Sequence, residues 1–334
     1  MLPDPNLELS VVIPFYNEGS NIDCLFERLF CALDRLEVNY EIICVNDGSK
    51  DNTLDGLLQQ HHSNRLVKVV NLSRNFGKEL ALTAGLDYTS GAAIVPLDAD
   101  LQDPPELIQE MMEKWREGYD VVYATRRSRQ GESWLKRLTA ALFYSVMGSI
   151  GDVPIPHNTG DFRLLDRHVV DVIKQMPERT RFMKGLFAWV GFKQTCIVYD
   201  RPGRHSGLTS WNYWRLWNFA LDGITSFSLL PLKVWSYLGF LLSIVAFIYA
   251  TFLIIRTLLF GIDVPGYASL MVVILFLGGM QFMTLGIIGE YLGRIFEEVK
   301  GRPLYLVRDL HGFEPPSSLH ASPSQPKRYT EFNS

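Results

Sequence analysis

Asp98, Asp100 and Gln102 stand two residues apart, directly after the apolar run Ala92–Leu97. In an extended segment, side chains at i and i+2 project to the same side. These three groups can therefore present oxygen to one point. Hard divalent cations such as Mg2+ or Mn2+ take one or two carboxylates and complete their shell with water and substrate phosphates. The plainer alternative is a solvated acidic turn, with Asp103 capping a helix that opens at Pro104. The position at a strand end, with three companion segments, favours the cation.

Each companion also follows an apolar run. Pro14-Phe15-Tyr16-Asn17-Glu18 comes after the first run and Asn46-Asp47-Gly48-Ser49-Lys50-Asp51 after the second. Each has the bland alternative of a polar turn with a helix cap. Asp47, just past a buried strand, is well placed to accept from the N–H of a base. In Ser73-Arg74-Asn75-Phe76-Gly77-Lys78, Gly77 allows close backbone approach and Lys78 can meet phosphate. No G-x-G-x-x-G and no G-x-x-x-x-G-K-[ST] occurs, so neither of those nucleotide-binding motifs is supported.

The elements that position these groups alternate. Strands are expected at Leu9–Pro14, Glu41–Asn46, Leu66–Leu72, Ala92–Leu97 and Val121–Ala124. Helices are expected at 22–36, 52–60, 77–88 and 104–117, the first with Ile22, Leu25, Phe26, Leu29, Phe30 and Leu33 on one face. Strands spaced by helices argue for an α/β fold, a mostly parallel sheet covered on both faces. Ligands bind such sheets beyond the carboxyl ends of the strands, where all four segments lie.

The chain has 334 residues, enough for about two domains. Its net charge of −4 argues against a nucleic-acid partner held by phosphate contacts. The mean hydropathy of +0.06 has a local cause. Val234–Ile255 and Val264–Gly289 contain no charged residue. The first would span roughly 33 Å as a helix, against about 30 Å of bilayer core, so a transmembrane hairpin is expected. Lys233, Arg294, Lys300, Arg302 and Arg308 flank the spans, and the connector holds only Arg256. By the positive-inside rule the N-terminal domain and the C-terminus are cytoplasmic, as in an integral protein of a bacterial inner membrane. No signal peptide is expected at the N-terminus. The four cysteines, Cys24, Cys31, Cys44 and Cys196, read as buried free thiols, and His61 and His62 as solvated helix-end residues. The expected division is residues 1–210 as the catalytic domain, 211–232 as an interfacial amphipathic helix, 233–292 as two spans, 293–313 as a cytoplasmic segment and 314–334 as a disordered tail. Trp211, Trp214 and Trp217 suit an interfacial belt or, alternatively, core packing. A run at Pro303–Val307 is strand-like and can pair with a neighbouring subunit or serve as an edge strand.

Val11–Glu18, Val45–Asp51 and Leu97–Pro104, with Asn158–Leu165 and the two-span C-terminus, resemble the motifs of the family 2 inverting glycosyltransferases of GT-A fold. The closest likeness is to the polyprenyl-phosphate branch, which includes dolichol-phosphate-mannose synthases and bactoprenol glucosyltransferases. The resemblance implies that Pro14, Tyr16, Glu18 and Asp47 hold uridine. It places Asp98 near ribose and metal, and Asp100 and Gln102 on a divalent ion at the diphosphate. It puts Asp161 and Arg163 near the sugar and the acceptor phosphate, so that Asp161, Arg163 and Asp100 are the expected catalytic residues. Whether Asp161 is a base or positions the sugar stays open, because a lipid monophosphate with a second pKa of about 6 needs little help from a base.

Arginine forks match phosphate geometry. Arg126, Arg127 and Arg129 lead into a helix expected over 134–150 with Lys136 and Arg137, and Arg201 and Arg204 precede Trp211. These residues are the expected acceptor-phosphate contacts, with a solvated basic loop as the alternative. Relatives often carry a lysine soon after the position of Gly207, and here the run is Leu208-Thr209-Ser210. The expected activity is metal-dependent, inverting transfer of a hexose, glucose by resemblance, from a UDP-sugar to polyprenyl phosphate at a membrane face. The rivals are a nucleotide-sugar binding protein without transferase activity and a processive polysaccharide synthase. The chain lacks the Q-x-x-R-W element typical of such synthases.

Overall fold

The structure, a computed structural model, describes residues 6–126, 159–176, 178, 179, 181, 183–199, 230–260 and 266–313. Strand β1 (Leu9–Phe15) alternates between two cores, because both faces of the sheet are covered. Leu9, Val11, Ile13 and Phe15 enter one core, and Val12 enters the other. Helix α1 (Ile22–Leu33) turns Ile22, Leu25, Phe26, Leu29 and Leu33 into the first core. Then follow β2 (Tyr40–Asn46), α2 (Thr53–Ser63), β3 (Val67–Leu72), α3 (Lys78–Asp87), β4 (Ala93–Pro96), α4 (Ile108–Arg116) and β5 (Val121–Arg126). After them come β6 (Thr159–Asp166), α5 (Arg167–Gln175), α6 (Met183–Trp189) and β7 (Gln194–Tyr199). Two long helices, α7 (Leu230–Phe260) and α8 (Tyr267–Lys300), precede β8 (Val307–His311).

The eight strands form one sheet in the order β7-β5-β6-β4-β1-β2-β3-β8. Strands β4, β1, β2 and β3 run parallel, as the alternation of strand and helix requires. Strand β6 is antiparallel to both β4 and β5, and β7 is parallel to β5. One face packs on α1, α2 and α4, and the other on α3, α5 and α6.

Of the two alternatives for the run at Pro303–Val307, the edge strand forms, a few residues later than expected. Strand β8 starts at Val307, the last residue of that run, and pairs antiparallel with β3 of its own chain. The Tyr305 hydroxyl donates to Asp87 at 2.7 Å and the Ser73 amide to the Leu306 carbonyl at 2.9 Å. Residues after α8 therefore return to the sheet that carries the candidate site.

The two-span reading and the inner-membrane placement built on it do not stand. Among the described residues no helix is long and apolar enough to cross a membrane. Helices α7 and α8 do form over the two uncharged runs, and charge gathers at their C-terminal ends. Arg256 lies near the end of α7, and Glu290, Arg294, Glu297, Glu298 and Lys300 fill the last part of α8. Two smaller expectations also change. Cys31 and Cys196 are exposed free thiols rather than buried ones, since Cys31 falls on the outer face of α1. His61 is buried, with Nδ1 2.6 Å from the Val67 carbonyl, and faces His311 of β8. The helix expected over 134–150, the belt at Trp211, Trp214 and Trp217 and the tail 314–334 lie outside the described residues.

Asp166 fastens the centre. It caps α5 by accepting from the His168 amide at 2.9 Å and holds α4 by accepting from Trp115 Nε1 at 2.7 Å. Burial alone would raise its pKa; the bonds from Trp115 and His168 outweigh it and hold the carboxyl below its ordinary 3.8. A depressed folded pKa contributes stability above the unfolded value, and that contribution is lost as pH falls through the folded one. Asp166→Ala should cost roughly 1–3 kcal/mol in urea unfolding at neutral pH. The gap to the parent should close as pH falls below 3.8. A gap that stays constant across that acid range would refute the assignment.

Candidate active site

Four loops meet beyond the carboxyl ends of β1, β2, β3 and β4. Hydrogen bonds stitch the first two together. The Asn17 amide donates to Ser49 Oγ at 3.1 Å, the Lys50 amide to Asn17 Oδ1 at 2.8 Å and the Glu18 amide to Thr53 Oγ1 at 2.9 Å. Asn17 is left-handed at φ 55°, which Asn tolerates better than most residues. Pro14 lies inside β1, opposite Val45, and cannot donate to the ladder there. Tyr16 projects outward with 44% exposure.

Asp47 is bonded to the loop before α3. It is 1% exposed. Oδ1 accepts from the Phe76 amide at 2.7 Å, and Oδ2 accepts from the Gly77 amide at 2.9 Å and from Asn75 Nδ2 at 3.0 Å. The carboxylate clasps the loop before α3 and has little capacity left for a base. Burial raises its pKa and the two amides oppose the rise. The neighbouring Gly48, at φ 63°, lets the loops touch: a Cβ there would sit 2.5 Å from the Arg74 carbonyl carbon.

The clasp aims the start of α3, and with it Lys78. Its Nζ lies 2.6 Å from an Asp98 oxygen and 2.6 Å from Asp161 Oδ2. One ammonium thus joins the end of β4 to the beginning of β6. Burial works against its charge, and Asp98 and Asp161 outweigh it, so the pKa is raised above the usual lysine range. The Asp98 carboxyl is raised by burial and by the nearby Asp161 and Asp103, while Lys78 pulls it down. Asp161 and Arg163 share one side of β6. Arg163 is 5% exposed, and its guanidinium lies 4.3 Å from the Phe187 ring centroid. Burial pushes its pKa down to about 10, with Asp161 opposing.

The segment after β4 is not extended. It turns at Ala99–Leu101, with Leu101 left-handed at φ 60°. Alternation therefore does not align Asp98, Asp100 and Gln102. Asp100 Oδ1 accepts from the Gln102 amide at 3.1 Å, and the Gln102 side chain is buried at 4% exposure. Asp98 and Asp100 still share a field. Glu18 has its pKa raised by burial and by Asp100, Asp51 and Asp98, against a bond from Asn21. Among the described residues no three His, Cys, Asp or Glu groups stand close enough to hold a metal ion by themselves. A hard cation held by Asp98 and Asp100 would have to take phosphate and water for most of its shell.

Strand β5 ends at Arg126, whose side chain lies outside the described residues, as do Arg127, Arg129, Lys136, Arg137, Arg201 and Arg204. The structure brings Lys78, Asp98, Asp161 and Arg163 together, with Glu18 and Asp100 in the same field. Sequence reasoning missed Asn75, which clasps Asp47, and Asp51, whose Oδ2 accepts from the Gly19 amide at 3.2 Å. Both stand in the loops already singled out, so their polar type and loop position were the available signal.

Residues 10–173 match the model of "Glycosyl transferase family 2", and residues 230–295 match that of the "GtrB C-terminal hairpin". An uncharacterized glycosyltransferase of Synechocystis sp. is 66% identical over 92% of this chain and 97% of its own. A bactoprenol glucosyl transferase of Shigella phage SfII is 47% identical over 92% of this chain and 100% of its own. The uncharacterized glycosyltransferase YkcC of Bacillus subtilis is 46% identical over 92% of this chain and 96% of its own.

Proposed function

The chain belongs to the family 2 glycosyltransferases, and from that premise we propose that it transfers glucose from UDP-glucose to a polyprenyl phosphate. The relative from Shigella phage SfII supports the sugar and the acceptor, since its name couples glucosyl transfer to bactoprenol. The observation that carries the reading is the meeting of Lys78, Asp98 and Asp161 at the strand ends.

Tyr16 and the loop that Asp47 clasps receive the uridine. Asp98 and Asp100 would hold a divalent cation, which would supply positive charge to the leaving diphosphate. Lys78 keeps Asp98 and Asp161 in place and neutralises part of their repulsion. Asp161 orients the sugar, and Arg163, fixed against Phe187, faces the acceptor side. The acceptor oxygen displaces UDP in one step, so the anomeric configuration inverts. The basic run from Arg126 to Arg137, with Arg201 and Arg204, holds the acceptor phosphate. The polyprenyl chain makes a bilayer surface the place where the acceptor is met.

Purified protein given labelled UDP-glucose, undecaprenyl phosphate and Mg2+ should move label into an organic extract, and EDTA should stop it. GDP-mannose and UDP-N-acetylglucosamine should be poorer donors. UDP binding with no transfer to lipid phosphate would favour the binding-protein reading instead.

A further inference from the structure

Three side chains stand in register across three strands. Asn46 of β2 is opposite Asn71 of β3, and Asn71 is opposite Asp309 of β8. Their bonds run in one direction. The Ser49 amide donates to Asn46 Oδ1 at 3.3 Å, Asn46 Nδ2 to Asn71 Oδ1 at 2.9 Å and Asn71 Nδ2 to Asp309 Oδ2 at 3.0 Å. Asn46 and Asn71 are 2% and 3% exposed, whereas Asp309 is exposed. Each amide accepts from one side and donates to the other, and the series ends on a charge. Bonds in such a series polarise one another, and the bond to the carboxylate is the strongest.

Ser49 belongs to the loop that Asp47 and Gly48 join to the start of α3, and its Oγ accepts from the Asn17 amide. The series therefore begins at the donor loop and ends on the strand that follows α8. We propose that Asp309, acting through Asn71 and Asn46, is a positioning residue for the donor nucleotide. This rests on the reading of that loop as the uridine site. Asp309 orients the Asn71 amide, Asn71 the Asn46 amide, and Asn46 the loop amide of Ser49. Strand β8, whose Asp309 is 238 residues from Asn71, thereby completes a site built by the first strands.

The test is a charge exchange along the series. Asn71→Asp removes the donor to Asp309 and sets two carboxylates against each other. Adding Asp309→Asn returns a donor at that rung, now pointing the other way, and leaves the oxygen that Asn46 needs. Asp309→Asn alone keeps an acceptor for Asn71. Calorimetry with UDP and hydrogen exchange of ligand-free residues 46–51 are the readouts, on the full chain. Asn71→Asp should weaken UDP binding about tenfold, an amount in line with an unmet buried polar group, and speed exchange at Ser49. The double variant should recover both, and Asp309→Asn alone, which keeps an acceptor for Asn71 but loses the charge, should fall between the parent and Asn71→Asp. A double variant no better than Asn71→Asp overturns the proposal. So does an Asn71→Asp protein with a lower Tm but unchanged UDP affinity and exchange. If Asn71→Asp does not fold, Asp309→Ala, at an exposed position, takes its place. It should weaken UDP binding and speed exchange in the same sense, and no change in either overturns the proposal. A parent protein that binds no UDP overturns the donor reading; if Asn71→Asp still speeds exchange at Ser49 and the double variant restores it, the series is left with the ordering of that loop alone.

Discussion

Asp98→Asn should lower transfer at saturating donor and acceptor by roughly 10²–10³-fold, the range seen when one preorganised electrostatic contact to developing charge is removed. The amide fills the same space, and Lys78 keeps its contact to Asp161. What is lost is one of two carboxylates proposed to hold the cation, together with half of the Lys78 bridge. Metal-free UDP binding should be unchanged, because the uridine loop lies on β1 and β2. Mn2+ binding in the presence of UDP, followed by electron paramagnetic resonance, should weaken in parallel with turnover. Loss of turnover with Mn2+ binding intact would remove Asp98 from the cation site.

Gly48→Ala should do the most damage to the architecture of the site. Its φ of 63° is a conformation L side chains rarely adopt, and the added Cβ would lie 2.5 Å from the Arg74 carbonyl carbon and 2.6 Å from the Asn75 nitrogen. Backbone strain of about 1–2 kcal/mol and overpacking of about 1–3 kcal/mol act together. Urea unfolding should then show a loss of roughly 2–5 kcal/mol. The contact is backbone on backbone, so relief requires the loops after β2 and β3 to part, which opens the clasp of Asp47 on Phe76 and Gly77. UDP affinity should fall by about tenfold or more, since an unmet buried carboxylate contact costs upwards of 1 kcal/mol. Gly77→Ala is the control. Its φ is 96° and no atom lies within 4 Å of the added Cβ. It carries strain without collision and should cost less. Equal costs at the two positions would mean that the collision at Gly48 relaxes freely.

The parallel half of the sheet was legible because its strands are short apolar runs bounded by polar turns. Leu9–Phe15, Tyr40–Asn46 and Val67–Leu72 all fall within a residue or two of their expected limits. The site segments were legible for the same reason, since each follows one of those strands. Partners were harder to read. The role of Asp47 as a clasp depends on amides nearly thirty residues later, at Phe76 and Gly77. Lys78 carries the charge expected of it, yet it rests between Asp98 and Asp161, which only folding brings together. The alternation argument failed at Asp98–Gln102 because Leu101 adopts a left-handed turn that leucine does not advertise. Strand β8 was displaced from its expected position because the pattern of a short edge strand is weak. Its place is fixed by pairing with β3, not by its own periodicity. The hairpin reading rested on the uncharged runs, and among the described residues no helix is long and apolar enough to cross a membrane.

Single-turnover transfer tests the central claim most directly. Enzyme in excess over labelled UDP-glucose is mixed with undecaprenyl phosphate and Mg2+ and quenched into organic solvent, the parent beside Asp98→Asn. The expected result is label in the organic phase from the parent and in the aqueous phase from the variant at the same times, with metal-free UDP binding equal in both. Label that stays aqueous with the parent, or reaches the lipid at the same rate in both proteins, would contradict it.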